Sequence, residues 1–79
     1  MKLIQLSQGQ LAKVIAIECG ATCKQKLWNL GIREGVVVKK ITGAFAHGPI
    51  VVKAGHTQIG LGKGMASRIA VNPLSADEL

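Results

Sequence analysis

Aromatic side chains are nearly absent from this chain: one Trp, one Phe and no Tyr make up 3% of its 79 residues. Any core must therefore be built from Val, Ile, Leu and Ala. Single-strand nucleic-acid binders stack bases on aromatic platforms, and here only Phe45 and Trp28 are available, in different segments. Acidic residues are also scarce, four against ten Lys and Arg. Two cysteines can form one bridge but not a disulfide framework. No apolar run approaches the roughly 18 residues of a membrane-spanning helix. The longest are Val14-Ile15-Ala16-Ile17 and Val36-Val37-Val38. The apolar opening, Met1 to Leu6, gives way at once to Ser7-Gln8-Gly9-Gln10 and is too short for a secretory signal. These absences lead us to expect a soluble, cytoplasmic protein with no transmembrane segment of its own.

What is present points to one small packed domain. Hydrophobic residues are 48% of the chain, charged residues 18%, and mean hydropathy is +0.33, a balance that excludes intrinsic disorder. A chain this short has room for one core only. We assign that domain to residues 1–72 and a loose tail to 73–79. The tail holds Asp77 and Glu78, so residues 1–72 set all ten basic side chains against Glu18 and Glu34, a net charge of +8. A body this basic attracts nucleic acid, an anionic membrane surface or an acidic protein face.

Ten glycines punctuate short apolar stretches, the pattern of a small β protein with tight turns. Leu3 and Leu6 precede a turn at Gly9. Leu11 to Glu18 reads as a strand with apolar residues on both faces, so its inward face is not assigned. Thr22 to Leu30 reads as a helix with Thr22 as N-cap. Cys23, Leu27 and Leu30 share one of its faces, at i, i+4 and i+7. Gly31 suits the left-handed residue that closes a helix, with Ile32 packing back on the last turn. Strands follow at Val36–Thr42, Ile50–Ala54, Thr57–Leu61 and Arg68–Asn72. Gly55-His56 forms a hairpin turn between the third and fourth strands, and Gly62 to Ser67 forms a turn with room for one helical turn. The fold class expected is mainly β: a small SH3-like barrel of about five strands, with one short helix after the first strand. Closure removes the sheet edges through which so apolar a chain would aggregate.

Catalysis has little to work with. The bases His47 and His56 and the carboxylates of Glu18 and Glu34 form no recognisable local motif, so the chain reads as non-enzymatic. Gly60-Leu61-Gly62-Lys63-Gly64 is not a phosphate-binding loop, since Thr57 stands where the motif needs Gly and Gly64 follows the lysine. Cys19, Cys23, His47 and His56 are the weak candidates for a metal site holding Fe²⁺ or Zn²⁺. Against such a site, Cys-x₃-Cys is not the usual zinc-knuckle spacing, and the histidines lie on separate loops. Trp28 stands one position off the apolar helix face, one turn after Lys24, as a flank of the core or an anchor for a partner protein.

Several motifs together resemble the FeoA family. The opening Leu6-Ser7-Gln8-Gly9-Gln10 does so, as does the helix and turn Lys26-Leu27-Trp28-Asn29-Leu30-Gly31-Ile32-Arg33-Glu34-Gly35. The hairpin from Gly48 to Gly55 with its return strand Ile59-Gly60-Leu61, and the closing strand Ile69-Ala70-Val71, are similar too. The resemblance spans about residues 3 to 72. It implies a cytosolic SH3-like barrel of bacterial ferrous iron uptake that docks on a FeoB-type membrane transporter carrying a cytosolic GTP-binding domain. The contact residues we assign are Lys24, Lys26, Trp28 and Arg33, the cations steering toward an acidic protein face or anionic head groups and Trp28 supplying buried area. The alternatives are a transition-metal (Fe²⁺ or Zn²⁺) binding protein or sensor, and a basic nucleic-acid-binding SH3-like module.

Overall fold

The computed structural model describes residues 1–41 and 49–75. A 3₁₀ turn, Leu3–Gln5, is followed by β1 (Leu11–Ile17), α1 (Ala21–Leu30), β2 (Val37–Lys40), β3 (Ile50–Ala54), β4 (Thr57–Leu61), the single turn α2 (Lys63–Ala66) and β5 (Ile69–Pro73). All strand pairs are antiparallel and the sheet order is β4-β3-β2-β1-β5. Consecutive strands β4 and β5 therefore lie at opposite edges. In a flat sheet, four spacings of about 4.8 Å would hold them roughly 19 Å apart. The link between them is shortened by its helical turn, so the sheet curls and Ala66 and Met65 pack onto its inner face.

A bulge in β1 explains its two apolar faces. Val14 pairs with Val71 and Ala16 with Ala70, leaving Ile15 as the extra residue. Ala12 and Val14 point inward before the bulge. The one-residue slip then turns Ile17 inward instead of Ala16, and Ile15 is left exposed. The bend also lets the first half of β1 pair with β2 while the whole strand pairs with β5.

The remaining inward positions follow the alternation: Val38, Ile50, Val52, Ile59, Leu61, Ile69 and Val71 are buried, joined by Leu3, Leu6, Leu27 and Ile32. Among the described residues the buried hydrophobic side chains are all aliphatic. β5 ends one residue beyond the expected boundary, with Pro73 opposite Ala12 and the Leu74 N–H donating to Leu11 O at 2.9 Å. Proline is tolerated there because β5 is an edge strand. β2 starts at Val37 because the backbone of Val36 belongs to a turn: its N–H donates to Arg33 O at 3.1 Å and its carbonyl accepts from Val14 at 2.8 Å. The expected end of that strand, Thr42, lies outside the described residues.

Two expectations for α1 change. The N-cap is Gly20, whose carbonyl accepts from the Lys24 N–H at 2.9 Å, and Thr22 lies inside the first turn without a capping bond. Leu30 is exposed although it shares the face of Leu27. The helix stops at Gly31 (φ 96°), whose N–H donates to Trp28 O at 3.1 Å, while the Ile32 N–H reaches Leu27 O at 2.8 Å. That paired arrangement swings Ile32 into the core and leaves Leu30 at the rim.

Candidate interaction site

The outer surface of α1 and the turn after it form a concave surface. Lys24 and Trp28 lie one helical turn apart. Arg33 and Glu34 come from the turn, which is pinned to β1 by the Gly35 N–H donating to Val14 O at 2.7 Å. Gly35 adopts φ 93°, the left-handed conformation in which a side chain is strained. Lys24, Trp28, Arg33 and Glu34, with Ile17 and Val36, line a groove of about 520 Å³.

Two contacts preorganise this groove. The Lys24 Nζ meets Glu34 Oε1 at 3.0 Å. The Arg33 guanidinium carbon lies 4.7 Å from the centroid of the Trp28 ring, a cation–π geometry that holds the indole in place. Trp28 nevertheless keeps 51% of its surface in solvent. It is a fixed, half-open aromatic plate flanked by two cations, able to give up apolar area and to meet carboxylates.

Three of the four expected contact residues, Lys24, Trp28 and Arg33, are thus brought together. Lys26 is not: it lines a separate, more apolar groove of about 410 Å³ with Leu30, Leu61 and Met65. Glu34, weighed from sequence as a carboxylate to orient a catalytic base, instead closes the ion pair with Lys24.

The candidate metal ligands stand apart from this surface. Cys19 and Cys23 are joined in a disulfide that ties the end of β1 to the first turn of α1, so neither offers a thiolate. His56 is exposed on the turn between β3 and β4. His47 lies outside the described residues, as does Phe45. Among the described residues no three of His, Cys, Asp and Glu gather closely enough to hold a metal ion.

Sequence reasoning passed over Lys40. Its side chain is fully buried, and Nζ donates to Ile4 O at 3.1 Å and Leu6 O at 2.8 Å. It caps the C-terminal carbonyls of the 3₁₀ turn and fastens the N-terminal segment to β2. Burial pushes its pKa below the ordinary 10.5. The signal was present, since the alternation that turns Val38 inward turns Lys40 inward as well.

Among the described residues no helix is long and apolar enough to cross a membrane. No curated protein matches the chain. Similar solved structures include the iron uptake regulatory protein FeoA in a monoclinic crystal form, at 28% identity and a TM-score of 0.84, covering 94% of this chain and 96% of that one. The FeoA protein of Chlorobium tepidum shares 28% identity at a TM-score of 0.87, covering 99% and 74%. The FeoA of Stenotrophomonas maltophilia, described as a prokaryotic SH3 domain protein and solved with zinc, matches at 24% identity and a TM-score of 0.74, covering 99% and 93%. Its likeness supports the SH3-like fold. The FeoA domain model matches residues 1–73, and the chain therefore belongs to the FeoA family, which is linked to ferrous iron transport.

Proposed function

We propose that this protein is a non-enzymatic, cytoplasmic accessory of ferrous iron uptake that docks on a FeoB-type membrane transporter through the α1 groove. The observation that carries this reading is Trp28: half exposed, clamped by Arg33, and flanked by the Lys24–Glu34 pair. Free proteins rarely hold a large aromatic at the surface in a preset orientation, and such a residue suits the centre of an interface. Lys24 and Arg33 supply charge beside it, and Lys26, around the helix, steers from the rim.

The test is binding of the full chain to the transporter and to its isolated GTP-binding domain. Trp28→Ala is expected to weaken binding about thirtyfold, the scale of a single hot-spot residue. Reversing charge at Lys24 and Lys26 together is expected to slow association. Unchanged binding by both variants would remove this face from the interaction.

A further inference from the structure

A second surface stands on the outer face of the sheet, away from the α1 groove. Lys39 of β2 lies directly opposite Lys53 of β3. Lys13 of β1 lies opposite Val37, two residues from Lys39 along β2, and so is its diagonal neighbour. All three lysines are exposed. Directly opposed side chains start about 5 Å apart at Cβ and diagonal ones about 7–8 Å apart, and like charges placed so repel. Among the described residues nothing nearby answers them. Their cross-strand neighbours Leu11, Gln58 and Asn72 are uncharged. The carboxylates among the described residues belong to Glu18, paired with Lys2, and Glu34, paired with Lys24.

The fold thus keeps three ammonium groups together at an energetic disadvantage to itself. Exposed apolar side chains accompany them: Val37, across from Lys13, and Ile15, at the bulge two residues along β1. Lysine with aliphatic neighbours suits a lipid–water interface, where the stems and the Val and Ile side chains approach the acyl boundary and the ammonium groups meet phosphates. Nucleic acid fits this face less well. It holds no aromatic side chain among the described residues on which to stack a base, and none of the planar, bidentate donors that arginine provides.

We propose that the outer sheet face, through Lys13, Lys39 and Lys53, is a docking surface for the anionic phospholipid head groups of a membrane. It would hold the protein at the bilayer independently of the α1 groove.

The experiment is co-sedimentation of the full chain with vesicles of phosphatidylglycerol and phosphatidylethanolamine, with phosphatidylcholine vesicles, and with duplex RNA at the same ionic strength. The parent protein is expected to bind the anionic vesicles alone, with affinity falling as salt rises. Each Lys→Gln change at these positions should cost about fivefold, and the triple variant about a hundredfold. Removing like charges should leave its thermal stability equal to the parent's or higher, which separates lost contact from lost fold. Trp28→Ala should bind vesicles as the parent does, so failure of this surface is distinguishable from failure of the groove. Undiminished vesicle binding by the triple variant, equal binding to phosphatidylcholine, or preferential binding to RNA would each overturn the proposal.

Discussion

Lys40 sets its amino group in the core of an 8.3 kDa protein, and the carbonyls of Ile4 and Leu6 make that placement tolerable. Removing the amine leaves two acceptors without their donor, that of Leu6 buried and that of Ile4 partly buried, a penalty of roughly 1–3 kcal/mol. Lys40→Met is therefore expected to lower unfolding free energy by that order in urea titrations. Its pH dependence has a definite sign. Burial lowers the folded-state pKa, so between that value and 10.5 the unfolded chain binds the proton more fully than the folded one does. The Lys40 contribution to stability then rises with pH across that interval. A neutral amine still donates to both carbonyls. The deficit of Lys40→Met relative to the parent should therefore widen as pH climbs through the window, and a deficit that narrows would refute the assignment. The inward phase of Lys40 was legible from Val38, but which groups would receive its protons was not, because the 3₁₀ turn comes from a segment 34 to 36 residues away.

The ends of α1 carry different amounts of information. Its C-terminus was legible because the left-handed Gly31 and the apolar Ile32 form a local signal, and the structure places both in those roles. Gly31→Ala forces a side chain into φ 96° and is expected to lower stability by about 1–2 kcal/mol, read as a shift in the midpoint of chemical denaturation. The N-terminus was misread because Thr22 has a capping side chain, whereas Gly20 caps by backbone conformation alone. The first turn is tied down instead by the Cys19–Cys23 bridge. Closing so short a loop contributes about 2 kcal/mol on a chain-entropy model. The Cys19→Ser/Cys23→Ser variant should thus melt earlier by about 10 °C, with faster amide exchange at Lys24, whose N–H bonds to Gly20 O. β3, β4 and β5 were legible from alternation, and β1 and β2 only as apolar, β-branched runs. The bulge at Ile15 was not: a one-residue slip leaves no local mark beyond apolar residues on both faces, and only pairing with β5 resolves it.

The molecule as a whole is a cation, and the two carboxylates among its described residues, Glu18 and Glu34, are already engaged. Charge alone could not say which basic residues share a face, and the split of Lys26 from Lys24, Trp28 and Arg33 depends on how α1 is rotated over the core by Leu27. Residue type did mark Trp28, the one described aromatic, as the place where apolar area is on offer. These two features act on different halves of an association reaction. Long-range attraction from a net charge of +6 accelerates encounter with an acidic partner and is screened beyond about 8–10 Å at physiological salt. Burial of Trp28 acts only once the complex has formed and so governs escape. If the proposed transporter's cytosolic domain is the partner, Lys26→Glu is expected to lower the association rate several-fold at low salt and little at high salt, leaving dissociation unchanged. Trp28→Ala should speed dissociation by about thirtyfold with association nearly constant. Surface-plasmon kinetics across a salt series checks both. If Trp28→Ala altered association alone, the indole would be a steering element and not the anchor its clamped, half-open geometry implies.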